Sequence, residues 1–161
     1  MIQKYIYGDP IETDAVIKEI PTSEGHPSYG TISTQDGFSF TYIMQPEDIV
    51  YGLGESNRGI NKRGFLYVSN CTDEPNHTED KQSLYGAHNF IIVDGINHSF
   101  GLFVDYPTNL TFDIGYTRQD TLSITCADAD LKLYVIDGSD AYDITRQFRH
   151  IIGRSYIPPR F

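Results

Sequence analysis

Apolar and polar residues alternate with period two through much of the second half of this chain. Phe100, Leu102 and Val104 fall on one face of a segment, and Leu110, Phe112 and Ile114 on one face of the next. Leu122, Ile124 and Cys126 alternate with Thr121, Ser123 and Thr125, and Leu131, Leu133 and Val135 alternate with Lys132 and Tyr134. Successive side chains of a strand point to opposite sides, so each run predicts a strand with one buried face. The apolar run at 90–93 predicts another, and Asp94-Gly95-Ile96-Asn97 supplies a turn after it. Nearer the N-terminus, strands are expected at 3–7, 15–20, 29–34, 38–44, 49–53 and 65–68, with Gln35-Asp36-Gly37 turning a hairpin. Strands recurring every ~8–12 residues between turn signals suggest a sandwich or a barrel. The period changes once. Ile144, Phe148, Ile151 and Ile152 fall at i, i+4, i+7 and i+8, the stripe of an amphipathic helix. Ser139 is the expected N-cap and Gly153 the expected C-terminal stop. Asp140 and Asp143 precede Arg146, Arg149 and His150 in the order that suits the helix dipole.

One stretch follows neither period. Val50-Tyr51-Gly52-Leu53-Gly54-Glu55 leads through a basic loop carrying Arg58, Lys62 and Arg63 and a short apolar strand into Asn70-Cys71-Thr72-Asp73-Glu74-Pro75-Asn76-His77-Thr78-Glu79-Asp80. Leu84-Tyr85-Gly86-Ala87-His88-Asn89-Phe90 closes it. Long irregular segments inside compact domains are uncommon and often functional.

Length and charge narrow the choices. A chain of 161 residues reads as one domain. With 22 acidic and 12 basic residues its net charge is -10, which disfavours nucleic acid and anionic membrane as partners. Cys71 and Cys126 are expected as free thiols of a reducing compartment. The first ten residues lack the apolar core of a signal peptide, and no run approaches the ~18 apolar residues of a membrane helix. A cytoplasmic location is therefore expected, and the sequons at Asn70, Asn76, Asn97 and Asn109 are expected to be chance.

Candidate chemistry concentrates in the irregular stretch. Gly52-Leu53-Gly54 is no dinucleotide fingerprint, because Asn57 stands where a third glycine is needed and no helix opens there. Its glycines suit a strand entering a bend. Cys71, Asp73, Glu74, His77, Glu79 and Asp80 are metal-ligand types, but their spacing fits neither zinc nor calcium patterns, so no metal or other cofactor is expected. Two readings stay open for this loop: a solvated acidic surface, or a carboxylate that hydrogen-bonds a neutral polar ligand. His88 has no nucleophile and orienting acid beside it in sequence, so a hydrogen-bonded structural histidine is expected. Spacing alone sets no two carboxylates at the separation a glycosidase pair requires.

Taken in order, several motifs resemble the N-terminal domain of glycoside hydrolase family 31, the α-glucosidase and α-xylosidase family. They are Tyr51-Gly52-Leu53-Gly54-Glu55, Leu84-Tyr85-Gly86-Ala87-His88-Asn89-Phe90, Phe100-Gly101-Leu102-Phe103, and the helix to Gly153-Arg154 with Pro158-Pro159. The resemblance implies an all-β, galactose-mutarotase-like antiparallel β-sandwich over residues 1–153 with one C-terminal α-helix. Residues 154–161 then begin a linker to a (β/α)8 catalytic barrel. It implies a retaining α-glucosidase acting on terminal α-linked glucose of small oligosaccharides, whose two catalytic aspartates lie on the barrel. No catalytic residue is expected in this chain, which should be inactive alone. The 70–80 loop would reach over the barrel's pocket, and Asp73 matches the sandwich aspartate that touches bound sugar. Asn89 stands where the family has proline, Leu66 or Tyr67 where it commonly has tryptophan, and Asp105 where it often has asparagine. Without the barrel, the helix stripe and one sheet face would be left partly exposed, which predicts self-association. The alternatives are a stand-alone carbohydrate-binding sandwich and a mutarotase-like enzyme using His88 with a carboxylate.

Overall fold

A computed structural model describes residues 1–160. Among them lie ten strands and one helix: β1 (Ile2–Tyr7), β2 (Thr31–Ser33), β3 (Phe38–Ile43), β4 (Ile49–Gly52), β5 (Phe65–Ser69), β6 (Phe90–Asp94), β7 (Ser99–Asp105), β8 (Leu110–Ile114), β9 (Thr121–Cys126), β10 (Leu131–Gly138) and α1 (Ala141–Ile152). They form two five-stranded sheets, one in the order β1-β10-β7-β6-β4 and the other β2-β3-β9-β8-β5. Every pairing within them is antiparallel. The expected antiparallel β-sandwich with one C-terminal helix is thus the fold.

The alternating faces meet in the middle. Phe38 and Phe40 of β3, Leu110, Phe112 and Ile114 of β8, and Leu122 and Ile124 of β9 form one wall of the core. Val50, Ile91, Val93, Phe100, Leu102, Val104, Leu131, Leu133 and Val135 form the other. This non-directional apolar burial is the main driving force for closing the two sheets on each other.

The outer face of the first sheet is apolar too, and α1 covers it. Ile144 packs on Ile92 and Ile136, and Ile151 on Phe103 and Tyr134. Phe148 stacks on Phe90 with ring centroids 3.8 Å apart. Within the stripe expected to be partly exposed, Ile144 and Ile151 are 0% accessible, while Phe148 and Ile152 are half-buried. A helix on one face explains why β7 is buried at every position although its sequence alternates only in part. Gly101 of β7 makes the approach possible, since a Cβ there would lie 2.6 Å from the Ile144 Cγ2.

Two local expectations are corrected. Residues 15–20 form no strand. Their apolar side chains, Ala15, Val16 and Ile20, pack on Phe103, Tyr134 and Ile151, and the Ile17 and Lys18 amides donate to the Ile151 carbonyl at 2.9 and 3.2 Å. The segment thus satisfies a carbonyl that the helix end leaves without an internal partner. The N-cap is Asp140, not Ser139. Asp140 has extended backbone, and its Oδ1 accepts the Asp143 amide at 2.8 Å. Gly153 does end the helix, with φ 87°. Residues 154–160 of the expected linker have no regular structure, and its last residue, Phe161, lies outside the described residues. No helix among the described residues is long and apolar enough to cross a membrane.

Candidate functional site

The irregular stretch gathers at one end of the sandwich, where β4 and β5 end and β6 begins. Residues 52–55 run flat against 86–90. The Leu53 amide donates to the Phe90 carbonyl at 2.8 Å, and the Glu55 amide to the Gly86 carbonyl at 2.7 Å. A Cβ on Gly54 would lie 1.8 Å from the Gly86 oxygen, so the Gly-Leu-Gly motif serves close backbone approach. Leu53 between them holds φ 63°, a left-handed conformation that a branched side chain adopts only under constraint from its surroundings.

The 70–80 loop has no regular structure, yet its backbone is held on both legs. On one, the Thr72 amide donates to the Leu84 carbonyl at 2.8 Å. On the other, Arg58 of the β4–β5 loop donates from Nε to the Glu79 carbonyl at 2.7 Å, from Nη2 to the Asp80 carbonyl at 3.1 Å, and from Nη1 to the Leu66 carbonyl at 2.8 Å. Its guanidinium lies 4.3 Å from the ring centre of Phe65 and 4.9 Å from that of Tyr67. Asn57 Nδ2 donates to the His77 carbonyl. Lys81 bonds Glu74 at 2.8 Å across the base of the loop. Lys81 and the Asn76 amide hold the Glu74 carboxyl below its ordinary range.

Asp73 is exposed, with the Tyr85 phenol in its vicinity. Desolvation first, then the Asp73 carboxylate and the charges of Glu55 and Glu74, push the Tyr85 phenol above its usual value. His77 leans on the same ring, with centroids 5.2 Å apart. An exposed carboxylate keeps its lone pairs for incoming donors, and charge-assisted acceptors of this kind are strong ones. Asp73, His77 and Tyr85 therefore come together, whereas Glu74 is occupied by Lys81. Among the described residues no group of three or more His, Cys, Asp or Glu side chains is placed to hold a metal.

His88 departs from expectation. No hydrogen bond to another described residue holds its exposed ring. It lines an open groove of about 640 Å³ together with Asn70, Cys71, Asn89, Asp105 and Tyr106. Asn89 does the holding instead: Nδ2 donates to the Tyr106 carbonyl at 3.1 Å and Oδ1 accepts from the Ser69 hydroxyl, tying the two sheets together beside the loop. Cys71 and Cys126 are both free. Arg58, Asn57 and Tyr85 are the residues sequence reading left without a role. The run of basic residues at 58–63 marked Arg58, but nothing local said that its partners lie some twenty positions away.

Comparison with known proteins adds to this geometry. Residues 18–113, more than half of the chain, match the family described as glycosyl hydrolase 31 N-terminal galactose mutarotase-like domain. The chain is 27% identical over 134 residues to alpha-glucosidase 2 of Bacillus thermoamyloliquefaciens, covering 78% of this chain and 17% of that protein. It is 26% identical over 112 residues to an alpha-glucosidase of Saccharolobus solfataricus, covering 68% of this chain and 16% of the other. The chain thus spans about a sixth of the length of these relatives. Its fold superimposes on a dextranase of Flavobacterium johnsoniae with a TM-score of 0.69 at 22% identity, over 80% of this chain and 16% of that one.

Proposed function

Because the chain belongs to the glycosyl hydrolase 31 N-terminal galactose mutarotase-like domain family, we propose that it is the N-terminal sandwich of a retaining α-glucosidase that removes terminal α-linked glucose from small oligosaccharides. The catalytic aspartates reside on a (β/α)8 barrel that follows residues 154–161, and the sandwich by itself is inactive. It supports the barrel and lends its pocket the 70–80 loop. No cofactor takes part. The two free cysteines accord with a reducing, cytoplasmic setting.

The observation that carries this reading is Asp73: an exposed carboxylate on a loop whose backbone is fastened to the sandwich. Such a group accepts hydrogen bonds from sugar hydroxyls without taking part in bond cleavage. The test is Asp73→Ala in the full-length enzyme, assayed with maltose. Hydrogen bonds to a charged group contribute about 1.5–3 kcal/mol, so kcat/KM should fall about ten- to hundredfold. An unchanged kcat/KM in a variant that folds normally overturns the assignment.

A further inference from the structure

The 70–80 loop has to keep one shape if its side chains are to meet a ligand. Fixing each residue's backbone costs about 1–2 kcal/mol of conformational entropy, so a loop without helix or strand needs another source of order. Side chains of the loop supply little of it. Asp73, His77 and Glu79 are exposed, and of the loop's acids Glu74 alone pairs with a lysine. The order comes from outside, on the residue that reaches farthest into the loop's backbone.

Arg58 donates to three carbonyls at once. Two of them, Glu79 and Asp80, belong to the returning leg of the loop, and the third, Leu66, belongs to β5. One planar group thereby fixes the distance between loop and sheet. Its plane is set by Phe65 and Tyr67, two aromatic residues on the same face of β5, at 4.3 and 4.9 Å. Among the described residues no carboxylate forms an ion pair with Arg58, so its donors serve main-chain oxygens and the loop's carboxylates stay free for other partners. A lysine replaces it only in part: its ammonium is a point charge on a flexible stem, whereas the guanidinium is a fork of fixed geometry.

We infer that Arg58 is a positioning residue, which holds the 70–80 loop in the shape that presents Asp73 to the sugar. The part concerning sugar rests on the function proposed above; the part concerning the loop does not. Arg58 acts before chemistry and on binding, so its loss should appear in KM and leave kcat alone.

The experiment takes Arg58→Lys and Arg58→Ala in the full-length enzyme, measures amide hydrogen exchange of residues 77–80, and measures kcat and KM for maltose. With Arg58→Ala, exchange at 77–80 is expected to quicken at least tenfold, and KM to rise severalfold with kcat within about twofold. Arg58→Lys falls between the two, and should it alone fold normally, it carries the test. Adding Arg58→Ala to Asp73→Ala should raise KM little further, since the loop then has no carboxylate left to position. Exchange unchanged in both variants overturns the inference, as does a fall in kcat at constant KM. Faster exchange together with a silent Asp73→Ala supports the loop-holding role and overturns the sugar contact, so the two failures are told apart.

Discussion

At Gly101 a single missing side chain decides how two layers meet. The residue has no unusual backbone conformation, and its alternatives are excluded by packing: an added Cβ would sit 2.6 Å from Ile144 and 3.1 Å from the Phe90 ring. Overfilling a packed site costs about 1–3 kcal/mol. Gly101→Ala should lower the unfolding free energy by that amount in a urea titration. Gly59→Ala, whose new methyl meets nothing within 4 Å, should stay within about 0.5 kcal/mol of the parent. Equal effects at both positions would remove the packing argument. Gly54 belongs to the first kind, with the Gly86 carbonyl in place of a side chain. That motif was legible in the sequence as a backbone device. Which backbone it serves was not, because residue 86 lies more than thirty positions away.

The helix shows what an element adds. Its 3.6-residue period and its terminal glycine were readable, since both act within a few turns of chain. The start was read one residue early, at Ser139, because serine and aspartate are comparable N-caps and only the geometry separates them. Asp140 accepts the Asp143 amide, while Ser139 spends its hydroxyl on the Asp140 carboxylate at 3.1 Å. Asp140→Ala is expected to cost about 1 kcal/mol, and Ser139→Ala under about 0.5 kcal/mol. Thermal unfolding of the two variants checks this, and a larger loss at Ser139 would return the cap to it. Residues 15–20 went the other way. Their β-branched apolar residues suit a strand, but they pair with neither sheet. They lie instead across the end of α1 and take the Ile151 carbonyl. Periodicity reports which side of a segment is apolar, not what stands opposite.

For the whole molecule, burial of tyrosine in the sandwich makes stability depend on alkaline pH. Tyr7, Tyr29 and Tyr134 are each pushed from 10.0 to about 12, chiefly by desolvation, with neighbouring Asp137 adding to the shift at Tyr29 and Asp105 at Tyr134. Tyr42 is raised as well, by burial first and then by its bond to Asp48. Below pH 10 these phenols are neutral in the folded and unfolded chain alike, and their contribution is fully present. Between pH 10 and about 12 the unfolded chain releases the protons first, so the folded state loses ground with each step, and above that range the contribution is gone. Urea midpoints should hold steady up to pH 10 and fall beyond it, with phenolate absorbance of the core tyrosines appearing on unfolding. A flat midpoint through pH 12 would contradict this account of the core.

By itself the sequence determined the period-two strands, the single amphipathic helix, the hairpin at Gly37 and the polar stretch at 70–80, and its ordered motifs marked the family. Each of these is written in residues close together along the chain, where steric preference and side-chain alternation act directly. Only the tertiary structure decided that α1 closes over the outer face of one sheet, that Asn89 ties the sheets beside the loop, and that Arg58 fastens a loop twenty residues further on. Those contacts join positions far apart in sequence. Their partners are chosen by where folding brings the backbone, which no local pattern of hydrophobic and polar residues encodes.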